Sequence, residues 1–448
     1  MMRVTATFTQ GRLSEHIIKM ALTNLVGLSV FFIVDLVDLY FISLLNQPYL
    51  VTAIAYAAAI LFFTMSMTIA MVIANSAITA RFIGQNKHQQ AKQASAVCYL
   101  LTLIFSIIIS FVIYCYAKPL LQFLGANGKI LQAANEYLNI TLISFPFIAF
   151  SMQITTTLRL LGKAKLAMYS TLVAGTVNML LDPIFIFYLQ WDIEGAAFAS
   201  LIARLAMLSM ASYYLFNTSY FVSHLLWSDI KKQSHSILNI ALPACLTQLA
   251  TPISHFYITY EMAKFGSYYV AGWAVISRLI PVVFMMLFAM PGAIGPIISQ
   301  NAGAEQFTRI KATLNESLNF IIKYVFVLSL SLSLLQEYIV ALFNAQADTA
   351  LLIRFFCQYI SLSFIFVGMN LVALSFLNNM GYPKIASTLN LAKMTLGTIP
   401  FVSVGAYYFG PQGILIGQAI GSITFALIAI IICYRIIRKI AYNPVGFE

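Results

Sequence analysis

Apolar segments of about 20 residues or more follow one another along almost the whole chain. A helix needs about 20 mainly apolar residues to cross the hydrocarbon core of a bilayer. The chain has 61% hydrophobic and only 9% charged residues, whereas about a quarter of the residues of a soluble domain are charged. The sequence therefore predicts an all-α integral membrane protein.

Polar residues and turns rich in Gly and Pro divide the chain into twelve predicted membrane-spanning helices. These spans are residues 15–45, 50–80, 92–117, 130–158, 164–189, 194–217, 236–262, 268–298, 308–336, 348–377, 383–409 and 412–438. Helices are expected because the hydrocarbon core offers no partner to an unpaired backbone group.

Basic residues are concentrated on one side of the predicted membrane. If the N-terminus is cytoplasmic, 17 of the 25 Lys and Arg residues fall on the cytoplasmic face, and only Lys118, Lys129 and Lys264 fall in the opposite loops. Cytoplasmic loops of membrane proteins are enriched in Lys and Arg. We therefore expect a multi-pass protein of the plasma (cytoplasmic or inner) membrane with both termini in the cytoplasm. The net charge of +11 then needs no nucleic-acid partner.

The chain contains an internal duplication, in which four pairs of segments resemble each other in the same order at an offset near 220 residues. The pairs are 21–42 with 241–262, 77–92 with 293–311, 160–172 with 379–391, and 193–203 with 411–421. The expected fold is two six-helix lobes related by pseudo-two-fold symmetry, an architecture found in transporters. The N-terminal lobe is predicted at 1–217, a cytoplasmic linker at 218–235, and the C-terminal lobe at 236–448.

Three carboxylates fall well inside the predicted spans, and all three belong to the N-terminal lobe: Asp35, Asp38 and Asp182. An Asp near the centre of a membrane helix costs about 2.5 to 3.5 kcal/mol on insertion scales. Asp35 and Asp38 are three residues apart and share a helix face, so both can line one cavity. Each makes the other harder to ionise. This pattern is typical of a proton carrier.

The stretch "NMLLDPIFIF" (178–187) adds an amide and a carboxylate on one helix face, because Asn178 and Asp182 are four residues apart. Pro183 removes a backbone donor and can free a carbonyl for an ion or a water molecule. A proton, Na⁺ or an organic cation suits these ligands. In the alternative interpretation, the acids pair with Arg204 or Lys393 and only hold helices together.

Two polar residues of the C-terminal lobe are secondary candidates for the site. His255 is aligned with Asp35 in the repeat and suits either a proton relay or, more commonly, a packed core histidine. Arg278 is as suited to pairing with backbone carbonyls or a lipid head group as to contacting a substrate.

Three elements carry a resemblance to a known family: the first-span sequence "NLVGLSVFFIVDLVDLYFI", the fifth-span sequence "NMLLDPIFIF", and the paired loops "GQNKHQQAK" and "SQNAGAEQFTRIK". Together with twelve spans in two lobes, they make the chain similar to the multidrug and toxic compound extrusion (MATE) transporters. The resemblance covers nearly the whole chain.

This resemblance implies the export of organic, often aromatic and cationic, compounds in exchange for H⁺ or Na⁺, and hence a role in xenobiotic transport and antibiotic resistance. The family's coupling acid of the first helix corresponds to Asp38, and its fifth-helix amide and acid correspond to Asn178 and Asp182. A hydroxyl of the sixth helix that helps to bind the cation corresponds to Ser200. A Na⁺ ion, if it is the coupling ion, is expected at these four residues.

The chain departs from the family pattern in three places. Thr23 stands where the family commonly has a proline, so the first helix lacks the residue on which a proline-dependent bend relies. Asp35 stands where an amide is usual, and a second titrating group favours proton coupling. Because Glu261 lies near a span end, the C-terminal lobe lacks the mid-membrane acids of one branch of the family.

Other functions compete with this interpretation. A flippase of the same superfamily for lipid-linked saccharides needs cations for phosphates, and Arg204, Arg278 and Lys393 are candidates, but the acids have the opposite sign. An ion channel would carry flux without substrate exchange. An enzyme is not expected, because the chain lacks HExxH, GxSxG and P-loop motifs and any Cys/His spacing for a metal. The expected partners are small organic molecules and membrane lipids, without nucleic acid or a cofactor other than the coupling ion, and the expected state is a monomer.

Overall fold

The computed structural model describes residues 6–45, 47–218, 220, 225, 227–343, 345 and 347–442. Within these residues the regular secondary structure is helical throughout. The first seven α-helices are α1 (Leu13–Ser43), α2 (Pro48–Gly84), α3 (His88–Phe123), α4 (Gly128–Leu160), α5 (Ala164–Pro183), α6 (Asp192–Phe216) and α7 (Trp227–Ala263). The next seven are α8 (Ser267–Val283), α9 (Met285–Gly303), α10 (Phe307–Leu342), α11 (Ala347–Phe355), α12 (Phe364–Asn379), α13 (Pro383–Ala392) and α14 (Ile399–Tyr442).

The fourteen helices correspond to the twelve predicted spans. Three spans each combine two consecutive helical segments, and the last helix, α14, contributes to two spans. Helices α8 and α9 form one span bent by 42°. Helices α11 and α12 are joined by a π-helical turn and a short 3₁₀ turn, Phe356–Ile360 and Ser361–Ser363. Helix α13 continues through the π-helical turn Lys393–Thr398 into α14. The twelve-span prediction is therefore confirmed.

Helix α14 contains two spans, because its backbone leaves helical geometry at Gly410, where φ is 61° and ψ is −145°. A positive φ favours glycine, and Pro411 then begins the last span without needing a backbone donor. Nine described segments are long and apolar enough to cross a membrane, or ten with the bent pair. One of the nine, Pro383–Ile440, holds both spans around Gly410, and α7 supplies the remaining one.

Contacts within the chain divide it into two compact units. The main part of the first unit is Thr23–Ala241, and the second combines Phe8–Leu22 with the chain from Leu242 onward. The first turns of α1 thus belong to the second unit, and the first turns of α7 belong to the first. The lobe boundaries predicted from the repeat, at 217 and 235, stay a prediction.

In the first unit, a network of buried polar side chains joins α2, α3 and α4. Asn75 Nδ2 donates a hydrogen bond to Gln153 Oε1 (2.8 Å), and Gln153 Nε2 donates to Thr102 Oγ1 (2.9 Å). The Tyr99 hydroxyl donates to Thr157 Oγ1 (2.7 Å). Interhelical hydrogen bonds of this kind are worth about 0.6 kcal/mol each on average in membranes. The network fixes α4 beside its neighbours.

In the second unit, α9 and α10 hold the segment that precedes α1. Phe8 is 2% exposed, and its backbone N–H donates to Gln300 Oε1 (3.1 Å). Its carbonyl oxygen accepts hydrogen bonds from Asn301 Nδ2 and Arg309 Nη2, both at 3.1 Å. The side-chain donors of α9 and α10 therefore anchor this segment through its backbone.

Candidate functional site

Helices α1 and α5 approach each other closely in the first unit because α5 has a glycine at the contact. A Cβ atom on Gly175 would overlap the Val30 side chain of α1. Asp38 lies eight residues beyond Val30, and Asp182 lies seven residues beyond Gly175. The close approach therefore brings the two carboxylates to the same level of neighbouring helices.

Asp38 and Asp182 form a buried pair of acids. Asp38 is 8% exposed and Asp182 is fully buried. The two carboxyl groups are neighbours and interact electrostatically. Two ionised carboxylates at close range repel each other, so a cation bound between them stabilises the pair. The geometry provides a place to hold a proton or another small cation.

Four oxygen atoms of this site receive no hydrogen bond from the described residues: Asp38 Oδ1, both carboxylate oxygens of Asp182, and Asn178 Oδ1. Buried polar atoms are normally hydrogen-bonded, and an orphaned group needs an explanation such as a bound ion or water. Asn178 Nδ2 donates to Ser200 Oγ at 3.4 Å, which leaves its carbonyl oxygen available. The structure therefore brings Asp38, Asn178, Asp182 and Ser200 together.

Asp35 lies at the edge of this group. Its side chain is exposed, in contrast to that of Asp38 one helical turn further on. It interacts electrostatically with Asp38 and with Arg204 of α6. Asp35 and Asp38 were predicted to share one face of α1. In the structure Asp38 belongs to the buried pair, and Asp35 lies at its edge.

Arg204 and Tyr137 are further neighbours of the acids. The sequence predicts Arg204 only as an alternative ion-pair partner of the acids and as a cation for phosphates, and it does not predict Tyr137. Arg204 interacts electrostatically with Asp35, Asp38 and Tyr137 of α4. The spacing of four residues from Ser200 could have indicated Arg204, because it places both on one face of α6. Tyr137 lies in a helix with little periodicity, and no pattern in the sequence singles it out.

Arg204 does not form an ion pair with the acids in the described part of the chain, where the salt bridges are Arg12–Glu15, Lys264–Glu261 and Arg354–Glu337. Its Nη1 donates instead to Ser144 Oγ (2.6 Å) and to the Thr141 carbonyl oxygen (3.3 Å) of α4. Arg204 therefore lends positive charge to the site without occupying the carboxylate oxygens.

The turn after Asp182 positions α6 against α5. Pro183 is followed by the π-helical turn Ile184–Tyr188. A Cβ atom on Gly195 of α6 would lie 2.8 Å from the backbone carbon of Phe185, so the absence of a side chain permits this contact. The two helices then run antiparallel, which brings Ser200 back beside Asn178.

The secondary candidates lie in the second unit. His255 is exposed, and its ring packs against Trp273 with 5.1 Å between centroids. Arg278 is exposed on α8. No described contact groups either with a carboxylate. Glu261 forms a salt bridge with Lys264 at the end of α7 (2.7 Å). Among the described residues, no three His, Cys, Asp or Glu side chains are grouped to hold a metal ion.

Comparison with known proteins places this fold and site in context. The model of the MatE family matches residues 24–184 and again 243–404, so the two matches start about 220 residues apart, as in the predicted repeat. The "FAD transporter" of Shewanella oneidensis is 26% identical over 430 residues, which cover 95% of this chain and 94% of that protein. The "Multidrug export protein MepA" of Staphylococcus haemolyticus is 22% identical over 441 residues, or 97% and 96% of the two chains.

A solved structure has the same fold. The Vibrio cholerae MATE transporter VcmN in its bent form superposes with a TM-score of 0.91 and covers 95% of this chain and 97% of its own. The identity is 24%, so the similarity concerns the fold alone.

Proposed function

Because the chain belongs to the MatE family of multidrug and toxic compound transporters, we propose that it exports organic compounds from the cell in exchange for H⁺ or Na⁺. The substrates are organic, often aromatic and cationic. The protein works as a monomer in the plasma membrane, with both termini in the cytoplasm. Apart from the coupling ion, the scheme needs no cofactor.

The observation that carries this proposal is the buried pair of Asp38 and Asp182 with unsatisfied oxygens. A carboxylate inside a membrane protein is costly unless a partner neutralises it. One cation at a time can do so, either the coupling ion or an organic cation. Mutual exclusion at a shared pair of acids couples the entry of the ion to the exit of the substrate.

The contact between the two carboxyl groups favours H⁺ as the coupling ion. Two neighbouring carboxyl groups can share one proton, because a protonated carboxyl group donates a hydrogen bond to an ionised one. Na⁺ would bind the same oxygens together with Asn178 and Ser200. Asp35 supplies a further titrating group at the rim, and Arg204 limits the net negative charge of the site.

A second candidate function is the export of an anionic aromatic compound. The relative that is named a FAD transporter is 26% identical across 95% of the chain. Cations within the spans, Arg204 and Lys393, suit such a compound. Exchange for a cation at Asp38 and Asp182 would drive this export as well.

The first prediction tests the coupling site. In proteoliposomes with an imposed pH gradient, the wild type should export ethidium, and addition of ethidium to purified protein should release protons. Asp38→Asn and Asp182→Asn should abolish both signals, because each replacement removes a charge that the ion and the substrate share. The two variants keep the size of the side chain, so expression should be normal.

Glu194→Gln is the matched control, because Glu194 is an exposed acid at the start of α6. It should behave as the wild type does. Normal export in both aspartate variants would reject the assignment of the site. Export that is driven by an imposed Na⁺ gradient, and not by a pH gradient, would identify Na⁺ as the coupling ion.

A further inference from the structure

Lys393 lies near the middle of a membrane span in the second unit. It follows Pro383, the first residue of α13, by ten residues. With a rise of 1.5 Å per residue, this distance is about 15 Å, or half of a hydrocarbon core of about 30 Å. Lysines near span ends extend their ammonium group to the interface, but a lysine at mid-depth must find its partner inside the membrane.

The packed face of the helix carries Lys393. Ala386 and Asn390, seven and three residues earlier, are 0% and 8% exposed, and Gly397, four residues later, is also buried. Residues at these spacings lie on one side of a helix. Asn390 Nδ2 donates to the Thr247 carbonyl oxygen of α7 at 2.8 Å. Lys393, itself partly buried, therefore points along the side of the helix that meets the rest of the unit.

Lys393 has no counterion among the described residues. The salt bridges of the second unit join Arg12 to Glu15, Lys264 to Glu261, and Arg354 to Glu337. Lys393 is thus a cation at mid-depth in the membrane without an acidic partner. The aspartates of the first unit are the opposite case, since they are buried acids with unsatisfied oxygens.

The backbone at Lys393 is also unusual, because this residue begins the π-helical turn Lys393–Thr398. Such turns often occur at functional sites. The neighbouring contacts with α7 are polar: Ser254 Oγ donates to Met394 Sδ (3.6 Å), and Tyr257 is hydrogen-bonded to Ser403. The residue next to Lys393 thus contacts a hydroxyl group of α7.

We propose that Lys393 binds an anionic group, a phosphate or a carboxylate, of the transported compound. The inference rests on the proposed function and names a substrate class for it, namely aromatic compounds that carry a negative charge. An ammonium group serves such a ligand as a compact point charge with three donors. Arg204 is less available for this role, because it already donates to Ser144 and Thr141 of α4.

The second prediction concerns the affinity for FAD, used as a probe with phosphates and an aromatic ring system. Fluorescence titration of purified protein should show that Lys393→Met raises the Kd for FAD by about tenfold or more, as expected for the loss of a hydrogen bond to a charged group. Lys393→Arg, which keeps the charge, should stay within about threefold of the wild type by the same reasoning. Methionine suits a membrane interior, so the variant should fold.

Lys323→Met is the matched control, because Lys323 is an exposed lysine within the α10 span. Its Kd for FAD should equal that of the wild type. An unchanged Kd in Lys393→Met, or an equal rise in Lys323→Met, would overturn the inference. A wild type that exports ethidium but does not bind FAD would overturn it as well, and would leave the proposed export function intact.

A lipid phosphate is the other possible source of the same chemistry. Phospholipid per protein is therefore measured by phosphate assay in the wild type and in Lys393→Met. Equal lipid content together with the weaker FAD binding supports the transported compound as ligand. Loss of one lipid phosphate per protein, with FAD and ethidium affinities reduced by the same factor, would assign Lys393 to a lipid head group instead.

Discussion

Buried polar residues of the first unit fall into two groups. Asn75 and Gln153 are fully buried and hydrogen-bonded to each other, whereas Asp38 and Asp182 are buried with oxygens that no described donor reaches. Satisfied groups of the first kind rigidify a lobe, and orphaned groups of the second kind are kept at a cost. Under the proposed function, this difference separates side chains that hold helices together from side chains that bind the transported ions.

The third prediction concerns Ser200, whose hydroxyl is 3.4 Å from Asn178 Nδ2. A hydrogen bond of this length is near the limit of the geometric range. Ser200→Ala should therefore lower proton-driven ethidium export by only about twofold, toward the lower end of the range for a neutral hydrogen bond. Ser209→Ala, an exposed serine of the same helix, is the control. Complete loss of export with restoration by high Na⁺ would make Ser200 a sodium ligand.

The candidate acids were readable from the sequence, because charged residues are conspicuous in apolar spans. Asn178 and Asp182 were placed on one face by their spacing alone. The expectation that Asp38 and Asp182 lie together came from the family resemblance alone, because helix spacing says nothing about which helix lies beside another. Tyr137 was missed for the same reason.

At the scale of the helix, small residues decide how closely the spans pack. A Cβ atom on Gly175 would overlap Val30, whereas one on Gly27 would lie 3.9 Å from Thr171 Oγ1, an ordinary contact. In lipid, close approach of backbones supplies much of the packing energy between helices. The distance between α1 and α5 therefore depends on one glycine.

The fourth prediction follows from this contact. Gly175→Ala should destabilise the protein by about 1 to 3 kcal/mol, as overpacking does, and should reduce proton release on ethidium addition by separating Asp38 from Asp182. Gly27→Ala, the control, should leave the melting temperature unchanged or raised. The double variant Val30→Ala with Gly175→Ala should recover both stability and proton release. A double variant as impaired as Gly175→Ala alone would contradict the steric explanation.

Hydropathy predicted the helices well but not their extensions or breaks. Span seven was predicted to begin at residue 236, and α7 begins at Trp227, because its first turns are polar and carry no hydropathy signal. The π-helical turns at Ile184–Tyr188 and Lys393–Thr398 were not predicted as elements, since a wider turn keeps the apolar character of the span. Only the proline at 183 pointed toward an irregularity.

For the molecule as a whole, the distribution of basic residues predicts which loops face the cytoplasm. The loop between α2 and α3 contains Lys87, and α4 begins beside Lys129; both side chains are exposed. The fifth prediction uses a variant without the five native cysteines. In intact cells, an impermeant maleimide should label Lys129→Cys and should label Lys87→Cys only after permeabilisation. The reverse pattern would invert the proposed orientation.

The docked segment around Phe8 has a practical consequence for handling this protein. The backbone of Phe8 is hydrogen-bonded to the side chains of Gln300, Asn301 and Arg309, so the residue is fixed as part of the folded second unit. A purification tag or a fluorescent partner joined directly before Phe8 would crowd these three donors.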